Sequence, residues 1–289
     1  AMVDGGVSDV YVANQVVAAH AIERLVTLSR RARVAVAVDQ AANVRDLSAA
    51  ATAHQVTLYV RIEVDAGMGR AGVHPGQDAL ELAQVVHRSP GLEFEGLHAY
   101  EGHVVSAADR AYRELHTRQM LALIMDTRDR IAASGIPCPV VTCGGTGTYD
   151  ISGVYPGVTE HQAGSYVYMD PGYHRTVPAF GLALTVLATV TSRPTAERVI
   201  TDAGLQTLGG DAGPGEPKGM PDLVPEELSE EHGTLRLASQ SPMGLCVGDR
   251  LELYPGHCDS VVNLHDRVYA VRDGRVEAVW RVTARGCSQ

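Results

Sequence analysis

Tyr254-Pro255-Gly256-His257-Cys258-Asp259 sets an imidazole and a carboxylate two residues apart, just after an alternating run at 249–254 and a Pro-Gly turn. If the chain stays extended after the turn, His257 and Asp259 project on one side. Such a pair can hold a divalent ion and leave its other positions to water and substrate. A turn whose polar groups satisfy local backbone is the alternative. A second stretch, Val64-Asp65-Ala66-Gly67-Met68-Gly69-Arg70-Ala71-Gly72-Val73, surrounds one arginine with three glycines. That composition allows a tight loop able to carry Arg70 over a binding site, although Arg70 could equally pair with Asp65. Tyr100, in Tyr100-Glu101-Gly102-His103, could present a ring and a phenol to a ligand or simply fill the core.

A third stretch is Thr142-Cys143-Gly144-Gly145-Thr146-Gly147-Thr148-Tyr149. Glycines alternating with threonines expose N–H groups and hydroxyls to an anion. The segment lacks the lysine of a nucleotide-binding loop, which suits the phosphate monoester of a cofactor; a structural glycine-rich turn is the alternative. Gly164-Ser165-Tyr166 forms another small-residue loop nearby.

Stepping out to the elements, strand and helix signals alternate from residue 10 to about residue 169. Strands are expected at 10–13, 33–38, 57–64, 92–100, 139–142 and 165–169, with helices at 18–31, 41–54, 76–88 and 106–134. Residues 1–7 read as the tail of a further helix. Alternation of this kind means a parallel sheet wound with helices, and reactive groups in β/α barrels sit at the C-terminal ends of strands. After about residue 175 the pattern turns to strands at 181–190, 198–202, 234–238, 250–254, 267–271 and 275–282. The expected architecture is α/β: residues 1–174 form a (β/α)8 TIM-type barrel lacking its first strand-helix units, and residues 175–289 a mostly β domain.

Composition limits the function. The 289 residues are 45% hydrophobic and 20% charged, enough for two domains. A net charge of -10 argues against nucleic acid and anionic membranes as partners. No apolar run is long enough to span a bilayer, no signal peptide is visible, and five scattered cysteines suit a reducing cytoplasm. Lys218 is the only lysine in the chain, within a Gly- and Pro-rich segment that reads as an exposed loop.

The 64–73 stretch resembles the arginine loop of fold-type III pyridoxal-phosphate enzymes. Gly144-Gly145-Thr146-Gly147-Thr148, residues 162–170 and Gly256-His257-Cys258-Asp259 narrow the resemblance to D-threonine aldolases and the metal-dependent D-serine dehydratases. It covers essentially the whole chain. The resemblance implies an alanine-racemase-like barrel binding pyridoxal 5'-phosphate, a divalent metal and a D-3-hydroxy amino acid, in a homodimer when complete. It places Gly145, Thr146, Gly147, Thr148, Gly164, Ser165 and Tyr166 on the cofactor phosphate, Arg70 and Tyr100 beside the ring and substrate, and His257 with Asp259 on the metal. An oxygen ligand at 259 favours Mn or Mg, with Zn possible. The expected reaction is cleavage to glycine and an aldehyde; dehydration by the same site and a non-catalytic cofactor-binding homologue are the alternatives. The family's Schiff-base lysine, which lies on the first barrel strand, has no counterpart here. The expectation is therefore a member lacking its first two strand-helix units, on the order of 60–90 residues.

Overall fold

The computed structural model describes residues 1–238 and 244–287 and divides into two compact units, Ala1–Gly164 and Ser165–Gln289. In the first, six strands form one parallel sheet in sequential order: β1 (Asp9–Gln15), β2 (Arg33–Val38), β3 (Leu58–Glu63), β4 (Leu92–His98), β5 (Val140–Cys143) and β6 (Glu160–His161). The helices α1 (Ala19–Leu28), α2 (Ala41–His54), α3 (Gln77–His87) and α4 (Arg110–Ala133) link successive strands, giving a half-barrel. The apolar Val-Ala run in β2, from Val34 through Val38, is buried on both faces, as a helix-covered parallel strand requires. Leu47, Leu58, Ile62, Leu97, Leu121, Ile124 and Ile131 are among the fully buried side chains of this core. The N terminus of α4 is fixed by Asp109, whose carboxylate accepts the N–H groups of Ala111 at 2.8 Å and Tyr112 at 3.3 Å.

The half-barrel differs from expectation at both ends. Residues 2–6 are hydrogen-bonded turns, not an α-helix. The sixth strand is β6, paired through Thr142–Glu160 and Cys143–His161, and residues 165–167 form a 3-10 turn. An extended run there is blocked because Met169 takes φ 55° and its N–H returns to the Ser165 carbonyl at 2.7 Å. Pro171 then opens the short helix α6 (Pro171–Thr176), after α5 (Tyr149–Ser152) earlier in the chain. The unit boundary at 164/165 therefore precedes the 174/175 position expected from the pattern, and Ala183 N–H ties back to the Tyr168 carbonyl within the second unit.

The second unit is mostly antiparallel β. β7 (Val186–Ser192), β8 (Arg198–Thr201), β9 (Glu216–Pro217), β10 (Leu223–Leu228), β11 (Gly233–Leu237) and β12 (Arg250–Tyr254) form one sheet in the order β10-β11-β8-β7-β12-β9. Two short helices, α7 (Leu205–Leu208) and α8 (Cys258–Leu264), pack beside each other. The hairpin β13 (Arg267–Arg272) and β14 (Arg275–Arg281) turns at Asp273-Gly274, both at positive φ, which matches the twist of two antiparallel strands. Among the described residues no helix is long and apolar enough to cross a membrane.

Candidate functional site

In the first unit the strand ends carry a chain of polar side chains. Arg70 leaves the loop after β3 with its Nη2 3.7 Å from Glu63 Oε1 and its guanidinium 5.9 Å from the centre of the Tyr100 ring. The expected alternative partner, Asp65, is occupied otherwise: its Oδ1 accepts the N–H groups of Gly67 at 2.9 Å and Gly69 at 3.1 Å and so folds the loop. Gly72 closes the loop at φ 108°, where a Cβ would lie 2.6 Å from the Asp65 nitrogen. No side chain other than hydrogen fits.

Glu63 also accepts the Gln15 amide at 2.5 Å, and its Oε1 lies 3.9 Å from His98 Nε2. His98 is neutral. Burial, then Arg70 and Arg61, push its pKa down to about 4, so the approach to Glu63 is no ion pair. Gln162 donates to His98 Nδ1 at 3.2 Å and to Thr142 Oγ1 at 3.0 Å. That assigns the ring proton to Nε2, which is buried without a hydrogen-bond partner among the described residues. Such an atom suits a site that takes a polar group or water.

The glycine-threonine loop is built from beneath by Glu101, whose residue is wholly buried. Its carboxylate accepts the Thr148 hydroxyl at 2.7 Å and the Gly144 N–H at 3.2 Å, and burial raises its pKa. Gly145 N–H donates to Thr148 Oγ1 at 3.1 Å. Thr148 therefore spends its hydroxyl proton on shaping the loop. From the far side, His161 Nδ1 accepts Ala163 N–H at 3.3 Å; its Nε2–H is left to Ser152 Oγ at 2.9 Å, and Ser152 donates to the Thr148 carbonyl. The glycines are steric requirements: a Cβ on Gly147 would lie 1.6 Å from the Val105 carbonyl oxygen, and one on Gly145 would lie 3.2 Å from Tyr100 Cε2. Arg70, Tyr100 and the Gly145–Thr148 loop are thus brought together. Thr146 and Thr148 are buried.

Glu63, His98, Glu101 and Gln162 escape the sequence reading. Their only signal is position, at or just beyond the C-terminal end of a strand.

In the second unit, Gly164-Ser165-Tyr166 is split by the unit boundary: Ser165 and Tyr166 sit in the 3-10 turn, with the Tyr166 and Phe180 rings 5.6 Å apart. His257 and Asp259 do come together, but not by strand alternation. His257 is extended, at φ -144°, and caps α8, whose first turn contains Asp259. His257 Nε2 and Asp259 Oδ2 lie 3.5 Å apart, while Cys258 is 1% exposed and its thiol donates to Asp259 Oδ1 at 3.3 Å. The extended expectation fails because residues 258–264 close helical hydrogen bonds directly after the turn. His257 Nδ1 meets Asp211 Oδ2 at 2.6 Å. Partial burial lowers the imidazole pKa, but Asp211, Asp259 and Asp170 outweigh it and the net direction is upward. The Asp211 carboxyl is held low by hydrogen bonds from His257 and then Ser260.

The donor set suits a small divalent cation with an open coordination sphere: one imidazole nitrogen and one carboxylate oxygen converge, both partly exposed. Among the described residues no group of three or more His, Cys, Asp or Glu side chains has metal-holding geometry.

Two family models match the chain: "Alanine racemase, N-terminal domain" over residues 8–171 and "Putative serine dehydratase domain" over residues 183–271. The chain is 39% identical to a D-threonine aldolase of Arthrobacter sp over 99% of its own length and 76% of the relative's. It is 36% identical to a 3-hydroxy-D-aspartate aldolase of Paracoccus denitrificans (strain Pd 1222), over 98% of its own length and 75% of that protein's. The crystal structure of D-threonine aldolase from Filomicrobium marinum superposes with a TM-score of 0.96 at 35% identity, covering all of this chain and 80% of that one.

Proposed function

The chain belongs to the D-threonine aldolase family of alanine-racemase-like lyases, and on that premise we propose that it serves the cleavage of D-threonine and related D-3-hydroxy amino acids to glycine and an aldehyde. Pyridoxal 5'-phosphate and a divalent metal, Mn or Mg before Zn, are the assigned cofactors. The single observation that carries the reading is the convergence of His257 Nε2 and Asp259 Oδ2 at 3.5 Å beside a buried Cys258.

The cofactor pair supplies an electron sink for the bond electrons and a Lewis acid for the β-hydroxyl. The chain's own residues do the rest. Residues 145–148 are the assigned phosphate cradle, kept in shape by Glu101 and by the His161–Ser152 clamp. Arg70 and Tyr100 supply a cation and an aromatic face for the cofactor ring and substrate, with Glu63 holding Arg70. Ser165, Tyr166 and Gly164 join the phosphate assignment on resemblance alone. His257 and Asp259 would hold the cation, which would supply a Lewis acid for the substrate's β-hydroxyl. An oxygen ligand at 259 matches a hard cation, whereas a thiolate would draw Zn.

Dehydration is the second reading, favoured by the match of residues 183–271 to the dehydratase model. Asp259→Ala and Cys258→Ala, titrated with Mn²⁺ and with Zn²⁺ by calorimetry, test the metal pair. Asp259→Ala should abolish measurable binding at micromolar metal, and Cys258→Ala should leave it intact. The reverse result would replace the ligand pair and strengthen the dehydratase reading. In a chain joined to the family's lysine-bearing segment, glycine release against ammonia release separates the two reactions.

A further inference from the structure

We propose that Asp211 is the positioning residue of the metal centre, selecting which nitrogen of His257 faces the cation; the inference rests on the His257–Asp259 assignment made above. Asp211 lies 46 positions upstream in sequence, in the loop that follows α7, and its Oδ2 meets His257 Nδ1 at 2.6 Å. Its other oxygen, Oδ1, accepts the Ser260 hydroxyl at 2.7 Å. One carboxylate thus grips both the residue that caps α8 and a residue of that helix's first turn. The grip has little freedom, because the two segments meet at backbone distance: a Cβ on Gly256 would lie 2.6 Å from the Ala212 carbonyl oxygen, and one on Gly209 would lie 3.0 Å from Ser260 Oγ.

An imidazole rotates about its Cβ–Cγ bond and exists as two neutral tautomers, so an unsupported His257 would offer a cation either nitrogen in several orientations. With Nδ1 donating to Asp211, Nε2 is left as the lone-pair nitrogen, and it is Nε2 that faces Asp259 Oδ2 at 3.5 Å. The carboxylate also enriches the ring in electrons and makes Nε2 a better donor. Carboxylate–histidine–metal chains of this kind hold the ligand orientation and carry a substantial share of the affinity. With two protein ligands assigned, the orientation of each weighs more than in a closed four-ligand site. Asp211 is not itself a ligand in this arrangement, since Oδ2 is engaged by Nδ1 and Oδ1 by Ser260.

The test is calorimetric titration of the 289-residue chain with MnCl₂, comparing wild type with Asp211→Ala, Asp211→Asn and His257→Ala. Asp211→Ala should weaken Mn²⁺ binding about 10–100-fold. Asp211→Asn keeps an acceptor for Nδ1–H without the charge, so its loss should be smaller. His257→Ala should abolish binding. As a readout that mere loosening of the fold would not move, ¹⁵N NMR of the metal-free chain, at a pH high enough to keep the ring neutral, should show His257 protonated on Nδ1 and not on Nε2. In Asp211→Ala the ring should become a mixture of tautomers, while the amide shifts of the β7–β8 and β10–β11 strands stay put. Mn²⁺ affinity within about 2-fold of wild type in Asp211→Ala, with binding lost in His257→Ala, overturns the role of Asp211 and leaves the centre standing. Binding unaffected by His257→Ala overturns the centre itself.

Discussion

At the scale of single residues, the site depends on buried groups whose protonation is set by their surroundings. His98 is the clearest. Its Nδ1 accepts a hydrogen bond from Gln162 and its pKa is pushed down to about 4, chiefly by burial and then by Arg70 and Arg61. In the unfolded chain the same imidazole titrates near its ordinary value of about 6.5, so the unfolded state takes up the proton first as the pH falls. The stability this group contributes is fully present above about pH 6.5 and is lost as the pH falls toward 4. Between pH 7 and pH 5 that amounts to about 2 kcal/mol. Urea midpoints followed by a probe in the half-barrel should fall accordingly, and His98→Gln should flatten the dependence. An unchanged slope in that variant would assign the pH sensitivity to other groups. Arg70 gives a second residue-scale lesson: the sequence offered Asp65 as its rival partner, yet Asp65 is used to fold the loop, and Glu63 takes the arginine.

At the scale of elements, the glycine-threonine loop is fixed by contact on one side and by hydrogen bonds on the other. Gly147→Ala places a methyl against the Val105 carbonyl, and backbone does not yield as a side-chain tip would. The variant should lose about 1–3 kcal/mol of stability, as overpacking typically costs, together with cofactor binding. Gly164 has open space around its Cβ direction, so Gly164→Ala should melt within about 0.5 kcal/mol of wild type, as a surface substitution does; equal losses in the two variants would refute this contrast. Elements with a clean period were legible in the sequence. The α2 boundaries at 41 and 54 and the strands β11 to β14 follow directly from alternation and turn residues. β10 was not, because Leu-Val-Pro-Glu-Glu-Leu carries a proline and two acids; it sits at the sheet edge, where proline is tolerated. α8 was hidden because four residues after a Pro-Gly turn fit either period. The polar residues of the site were hidden for a different reason. In β3 the buried Arg61 and Glu63 alternate with apolar residues, and β4 adds the buried Glu95 and His98, a pattern that ordinarily marks a solvent face. Here it is polar packing inside the half-barrel, with Arg61 bonded to Glu95 at 2.9 Å and to Glu160 at 2.7 Å. Arg70 and Tyr100 could be read as candidates because they follow strand ends, where barrel chemistry collects.

At the scale of the whole molecule, the sparing use of lysine matters most. Lys218 is the single lysine among 289 residues, and it does not sit at the end of any strand of the half-barrel. It lies beside β9, with its ammonium 2.8 Å from Glu252 on β12. The 289-residue chain should therefore show no retro-aldol turnover, and borohydride should trap no cofactor on any residue of the half-barrel, as peptide mass mapping would show. Turnover that survives Lys218→Ala would mean that the reaction needs no lysine of this chain. The same scarcity has a consequence for proteolysis. A lysine-specific protease has one place to cut, after Lys218, which divides the antiparallel sheet in sequence between β9 and β10. In space the sheet runs β10-β11-β8-β7-β12-β9, so strands from the two sides of the cut interleave across it. The nick should leave fragments 1–218 and 219–289 that co-migrate on a native gel and part only in denaturant. The protein would then be its own complementation pair, with β7, β8, β9 and Asp211 on one fragment and β10, β11, β12, His257 and Asp259 on the other.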